Sequence, residues 1–275
     1  VIMLKWLENA VFYEIYPTSF FDSDGDGVGD LRGITEKVGY LKNLGVTAVW
    51  LNPIYKSPFQ DGGYDVEDYY AVDPKFGDMR DLDKLIKVFH DNGIKVVLDL
   101  VIGHTSVKHK WFTESAKRQR NEYSDYYIWT NSVFDDYPNM IIGLFERDGG
   151  YMKNYYASQA ALNYGFNQTD EKHDWMMRYD DERLRPLREA VLNIMRFYLD
   201  KGVDGFRVDM ASSLVKNGEK FNADKPFDDS DKGLEGIRWL WNKILGTLRR
   251  EYRDKVYIAE WVEPQKSIGK CEFDM

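Results

Sequence analysis

Hydrophobic and polar positions along the chain follow two rhythms that alternate. Five apolar runs read as strands: "VFYEIYPTSF" from Val11, "VTAVWLNP" from Val46, "IKVVLDLV" from Ile94, "GVDGFRVDM" from Gly202 and "KVYIAEW" from Lys255. Nearly continuous apolar runs of this kind suit parallel strands covered on both faces. Between them the apolar residues return at helical spacing. "ITEKVGYLKNLG" predicts one helix with Ile34, Val38 and Leu41 on a stripe and Gly45 at its end. "DLDKLIKVFHDNG" puts Leu82, Leu85, Ile86 and Phe89 on one face, with Gly93 as the cap. Later helices run through Leu187, Val191, Ile194 and Tyr198, and from Leu234 to Leu248.

Strand then helix, repeated, predicts βα units on a parallel sheet, read here as the N-terminal portion of a TIM-type (β/α)8 barrel. Most repeats take roughly 35 to 50 residues, whereas about 100 separate the third strand from the fourth. The surplus is rich in Trp, Tyr, Asp and Asn and weakly periodic. It reads as a subdomain inserted after a strand end, where barrel enzymes place substrate loops. The expected division is 1–103 for the first part of the barrel, 104–167 for the insert and 168–275 for its continuation. That leaves five strands and the start of a sixth at "CEFDM". A closed barrel needs eight, so the chain is expected to be part of a longer enzyme whose remaining strands and C-terminal domain lie outside it. On its own it is expected to be impaired, since an open sheet exposes edge backbone.

The fourth run carries a contradiction. Alternation puts Gly205, Arg207 and Asp209 on one face of the strand and Phe206, Val208 and Met210 on the other. Asp99 and Glu260 fall near the ends of two further strands, and in a parallel barrel those ends meet at one mouth. Each carboxylate alone has a structural explanation, as a partner of Arg207 or a helix cap. Three together are costly to bury without a purpose. Arg207 is expected to keep Asp209 ionised as a nucleophile. Glu260, between Ala259 and Trp261, is expected in an apolar setting that suits a general acid. A nucleophile paired with an acid is the apparatus of a retaining glycoside hydrolase.

Composition narrows the partners. The net charge of -9 argues against a nucleic-acid or anionic-membrane partner, and no run of eighteen apolar residues occurs. The single cysteine, Cys271, excludes an intrachain disulfide and a cysteine-built zinc site. Cytoplasmic location is the expectation ahead of secretion. Aromatics make up 15% of the chain, which serves a large core and also offers rings for sugars to stack on.

Several separate strings, in order, resemble the α-amylase family of retaining glycosidases (glycoside hydrolase family 13), in particular its α-glucosidase and oligo-1,6-glucosidase branch. The likeness runs from about Phe12 to Trp261. "DLVIGHTS" is similar to the family's first region, which implies substrate binding by His104 and support of Arg207 by Asp99. "GFRVDM" is similar to the second, implying Arg207 as orienter and Asp209 as nucleophile. "AEW" is similar to the third, implying Glu260 as acid/base. "DGGYDVEDY" resembles the stretch where Asp61 meets sugar hydroxyls and Tyr64 stacks on the ring. The implied substrate is an α-linked glucose oligosaccharide or glucan, cleaved by double displacement. Transfer or isomerisation, and a non-catalytic carbohydrate-binding or scaffold role, are the alternatives. The chain departs from the family at Gly103, where Asn is usual, and at "QAALN" (Gln159 to Asn163) in place of Q-P-D-L-N. "MASSL" replaces the Lys-His pair that follows the nucleophile in many α-amylases, and the fourth region is absent.

One more motif stands apart. "DSDGDGVGD" sets Asp22, Asp24, Asp26 and Asp30 around Gly25, Gly27 and Gly29, with the Val28 carbonyl as a further donor. Alternating oxygens on a glycine-kinked loop suit a hard cation, and a structural Ca2+ is expected there. Gly33 stands where an EF-hand has its last Glu, which argues against a calcium sensor. The alternative is a solvated acidic turn.

Overall fold

The computed structural model describes residues 4–217, 233–267 and 269–275. Five strands, β1 (Phe12–Ile15), β2 (Ala48–Leu51), β3 (Lys95–Leu100), β4 (Gly205–Val208) and β5 (Val256–Ala259), form one sheet in chain order. Every neighbouring pair is parallel. The α-helices of six residues or more are α1 (Leu31–Glu36), α2 (Val38–Asn43), α3 (Met79–Asp91), α4 (Lys110–Ser115), α5 (Arg185–Asp200) and α6 (Glu235–Glu251). This is part of a (β/α) barrel, with the helices on one face of a curved sheet.

The register separates the two faces of that sheet. Ile15, Val49, Leu51, Val96, Leu98, Leu100, Phe206, Val208 and Tyr257 join the main core with the helices. Their alternates Phe12, Trp50, Val97, Val256 and Ile258 face the barrel interior, where Leu4, Trp6 and Leu7 of the N-terminal segment pack onto them. That apolar plug lies toward the strand starts. Toward the strand ends the same interior face turns polar: Glu14 lies in the row of Trp50 and Val97, and Asp99 and Arg207 pair with each other two residues further on.

The helices follow from local chemistry as well as from the apolar stripe. Asp78 opens α3 with a capping box, its side chain accepting from the Asp81 amide while Asp81 accepts from the Asp78 amide. The single helix expected over "ITEKVGYLKNLG" is instead two, α1 and α2, broken at Lys37, whose ψ is 7°. Thr35 supplies a physical reason: its Oγ1 donates to the Leu31 carbonyl at 2.7 Å, a back-bond that bends helices.

The surplus between β3 and β4 begins and ends on one hairpin. His104–Ser106 pairs antiparallel with Gln159–Ala161, so the chain leaves and rejoins the barrel at neighbouring points. A second hairpin, Met140–Ile142 with Gly150–Met152, and the helix α4 lie between. Phe112, Trp129, Phe145 and Tyr151 form an aromatic core there. The run at "CEFDM" is not a regular strand. Its last residues nevertheless lie along β5: the Asp274 amide donates to the Tyr257 carbonyl and the Ala259 amide to the Met275 carbonyl.

Candidate active site

Gly205 begins the strand on which the site is built. Its φ is +154°, and a Cβ there would collide with the Val256 carbonyl oxygen, so β4 lies against β5 only because this residue is glycine. Two residues on, Arg207 points into the barrel. Its Nη1 lies 3.0 Å from Asp99 Oδ1 and 2.8 Å from Asp209 Oδ1, and its Nη2 lies 2.9 Å from Glu260 Oε2. One guanidinium therefore binds three carboxylates from three consecutive strands. The three acidic positions of β3, β4 and β5 do converge, as the strand-end argument requires.

Second contacts fix each member. Asp99 is completely buried, and its Oδ2 accepts from Trp50 Nε1 and from the Tyr64 hydroxyl, both at 3.0 Å. The Trp50 ring lies under the guanidinium, 4.9 Å from its central carbon, a stacked cation–π contact. Asn52, one turn of the strand beyond Trp50, donates to Glu14 Oε1 at 3.1 Å and to the Tyr64 hydroxyl at 2.9 Å. Met210, directly after Asp209, adopts a φ of 44° that bulky residues avoid. That turn directs its amide onto Glu260 Oε2 at 2.7 Å.

Two electrostatic expectations are corrected by this geometry. Arg207 does not hold Asp209 below the usual carboxylate range. Burial and the nearby Asp99 raise Asp209 to about 7, outweighing the guanidinium, because one cation is shared among three anions. Asp99 is raised to about 6, again chiefly by burial and against Arg207. Nor does Glu260 sit in an apolar pocket formed by its sequence neighbours. Its side chain is 39% exposed and ion-paired with Arg207, since residues adjacent in an extended chain point elsewhere.

Asp61 and Tyr64 reach the same mouth from the loop after β2. The Tyr64 hydroxyl is tied to Asp99 and Asn52, while Asp61 Oδ2 accepts from Gln159 Nε2 at 2.6 Å. Buried Asp65 shapes that loop by accepting from the Ser57 hydroxyl and from the amides of Gln60 and Asp61. His104 is only 2% exposed, with Nε2 at 2.9 Å from the Tyr64 carbonyl and Nδ1 at 3.1 Å from Asn154 Nδ2. A carbonyl accepts and an amide nitrogen donates, so the ring carries its hydrogen on Nε2. Burial lowers its pKa to about 4, keeping it neutral. It braces the Tyr64 backbone instead of presenting a free donor.

Sequence reasoning passed over Trp50, Asn52, Asn154, Tyr155 and Lys216. Trp50 and Asn52 had a signal, being alternate residues of "VTAVWLNP". Tyr155 stands edge-on to His104, 46% exposed. Lys216 donates to Asn154 Oδ1 at 3.2 Å and to the Ser213 carbonyl at 2.8 Å, and burial of its ammonium lowers its pKa to about 8.

Of the acidic loop, Asp22, Asp24 and Asp30 bring carboxylate oxygens within 4.8 Å of one another. Asp26 stands outside that group: its Oδ1 accepts from the Val28 amide at 2.7 Å, turning it along the loop. Asp22 accepts from the Gly25 and Gly27 amides, which lower its pKa. Asp30 caps α1 through the Gly33 amide.

Comparison with known proteins identifies the family. The family model for the α-amylase catalytic domain matches residues 14–269. The oligo-1,6-glucosidase of Parageobacillus thermoglucosidasius is 43% identical over 255 residues, 91% of this chain and 43% of the relative. The glucan 1,6-alpha-glucosidase of Streptococcus pneumoniae is 40% identical over 220 residues, covering 77% and 37%. Among solved structures, the trehalulose synthase of Pseudomonas mesoacidophila matches with a TM-score of 0.77 and 32% identity, over 93% of this chain and 45% of the other. The trehalose-6-phosphate hydrolase of Bacillus licheniformis gives 0.75 and 33%, over 94% and 45%. The chain thus spans less than half the length of each of these four relatives. On the matched model and these identities, the chain belongs to the α-amylase family, within its catalytic domain.

Proposed function

We propose that the protein to which this chain belongs is a retaining glycosidase acting on α-glucosidic bonds. The observation that carries the reading is Asp209 and Glu260 on adjacent strand ends, both held by Arg207. In the reaction proposed, Glu260 donates a proton to the glycosidic oxygen as the bond to the anomeric carbon breaks. Asp209 attacks that carbon and forms a glycosyl ester. Water, deprotonated by Glu260, then releases the sugar and restores both carboxyls. Asp99 and Asp209, buried around one guanidinium, retain a proton more readily than isolated carboxyls. Asp61 and Tyr64 are proposed to bind sugar, with His104 and Asp99 positioning them and Arg207. Relatives named for 1,6-linked substrates favour short α-glucosides of that linkage. The trehalulose synthase likeness supports a second reading, transfer of the glucosyl group to a sugar hydroxyl in place of water.

Proton NMR of the sugar first released from an aryl α-glucoside tests the proposal. The α-anomer is expected, and initial release of the β-anomer would overturn double displacement. With sucrose or maltose, appearance of an isomeric disaccharide ahead of free glucose would favour transfer.

The cation reading of the Asp22 loop belongs here also. Three converging carboxylates offer a donor set of hard oxygens alone, which fits Ca2+. Asp22, Asp24 and Asp30 would hold it, with the Val28 carbonyl as a further donor; Asp26 lies outside the converging group. The ion's role would be to fix the loop ahead of α1, with no part in the chemistry.

A further inference from the structure

We propose a divalent transition-metal site of the zinc type at Asp135, Asp136 and His173, on the inserted subdomain and the segment that follows it. It shares no residue with the carboxylate cluster or with the Asp22 loop. One ligand atom from each of the three residues lies within 4.8 Å of the others. Acidic groups gather on many surfaces without consequence, so the argument rests on His173.

His173 is 3% exposed, and its Nδ1 lies 2.8 Å from both oxygens of Asp170. A carboxylate only accepts, so Nδ1 carries the hydrogen and Nε2 of the neutral ring is a bare lone pair. Nε2 is buried and has no hydrogen-bond partner among the described residues. It is directed at Asp135, whose Oδ1 is 3.8 Å away. A lone pair facing a carboxylate is repulsive. Were the ring an imidazolium, 3.8 Å would still be too long for its hydrogen bond. A cation between the two removes the conflict. Ligands bound to zinc at about 2.1 Å in a tetrahedral arrangement stand about 3.4 Å apart, close to this spacing.

The surroundings match what metal-bound histidines need. The Asp170–His173 pair sets the tautomer and the ring orientation, as in a carboxylate–histidine–metal relay. Asp135 is oriented in turn, its Oδ2 accepting from Trp175 Nε1 at 2.8 Å and its Oδ1 from the Tyr137 amide at 2.9 Å. Tyr137 and Trp175 pack their rings against the imidazole and restrict its motion. Asp136 also meets Lys172 Nζ at 3.0 Å, and both side chains of that pair are more than 60% exposed. Metal binding would draw the carboxylate from an ion pair of little worth. One imidazole and two carboxylates select a first-row cation over Ca2+, with water completing the shell. Such an ion would clamp the loop at 135–136 to the segment at 170–175.

Zinc binding is to be measured on the metal-free protein by competition with a chromophoric chelator, and Co2+ is to be used as the spectroscopic probe. The wild type is expected to bind one zinc that His173→Ala and Asp135→Asn abolish. Asp170→Asn, at a half-exposed residue, should weaken it about 10- to 100-fold with the fold checked by circular dichroism. Asp22→Ala should leave it unchanged, separating it from the calcium loop. A wild type that binds no zinc or Co2+, or zinc binding that is equal in wild type and Asp170→Asn, would overturn the site. So would NMR showing His173 protonated on both nitrogens at neutral pH in the metal-free protein, which would make it an ion-pair histidine.

Discussion

Arg207 and Asp99 are direct register partners on adjacent parallel strands, and their side chains meet at 3.0 Å inside the barrel. Register is the cause: in a parallel pair, residues opposite one another face the same side, so a one-residue slip would send Arg207 into the helical layer. The pair has no solvent to fall back on. Arg207, so held, is what links the side chains of Asp209 and Glu260.

Arg207→Lys is therefore expected to fail as a conservative change. An ammonium cannot place two nitrogens on three carboxylates or stack flat on Trp50. Leaving at least one buried carboxylate out of the ammonium's reach should cost about 3–5 kcal/mol of stability. Chemical denaturation and kcat/KM on an α-glucoside check this; wild-type stability in the variant would mean that the three carboxylates do not need the fork.

The pH dependence of stability carries a definite sign. Burial raises Asp99 to about 6 and Asp209 to about 7, above the unfolded value of about 3.9. The folded state then binds protons more tightly than the unfolded one. Their contribution is fully present below about pH 4 and is lost as the pH rises through 6 to 7. Asp209→Asn is neutral at every pH. It should match the wild type near pH 4 and exceed it at pH 8 by on the order of 1 kcal/mol, about 2–4 °C in Tm. It should also be inactive. A lower Tm than wild type at pH 8 would contradict the raised Asp209.

Much of this site was legible in the sequence, and what was missed has a common physical origin. Strand alternation placed Arg207 and Asp209 on one face, and the positions of Asp99 and Glu260 at strand ends were enough to bring all three acids to one mouth. Period alone could not show that Glu260 would turn toward Arg207, because that depends on the register of β5 against β4 and on the left-handed turn at Met210. Asp61 meets Gln159 across 98 residues of chain, and His104 meets Asn154 across 50. Such contacts follow from how the insert folds back on its own hairpin, which no local pattern encodes. The helix broken at Lys37 is a miss of another kind: the apolar stripe was read, but the competing side-chain bond of Thr35 was not.

His104→Ala should act on both fold and kinetics. The substitution leaves the Tyr64 carbonyl without its partner, at about 1–3 kcal/mol, while the Asn154 amide keeps the Gly103 carbonyl. Release of Tyr64 should raise KM more than it lowers kcat if that tyrosine positions sugar. Stability loss with unchanged kinetics per folded molecule would make His104 a brace for the loop and nothing more.

Chelation should lower Tm through the Asp22 loop, because an ion bound only by the folded state stabilises it by mass action. At free calcium 100 times its Kd the effect is about 2.7 kcal/mol. Asp24→Ala should remove the response to calcium, while Asp26→Ala should largely keep it, as Asp26 lies outside the converging group. Equal loss in both variants would restore Asp26 as a ligand.

Gly205→Ala gives the sharpest steric test. At a φ of +154° an L side chain is strained, and the added methyl would meet the Val256 carbonyl oxygen, which is backbone and cannot rotate away. Relief requires β5 to move off β4. That motion would break the register of Arg207 with Ile258 and draw Glu260 away from the guanidinium. Stability and activity should therefore fall together, by several kcal/mol and more than tenfold respectively. Gly246→Ala is the matched control. It lies in the middle of α6, where the nearest atom to a new Cβ is Arg250 Nη1 at 3.8 Å. Alanine there should stabilise by about 0.5–1 kcal/mol through helix propensity, with activity unchanged. A Gly205→Ala protein that keeps its Tm would show that β4 and β5 have room to separate, and that the close approach of the two strands is not what sets Asp209 beside Glu260.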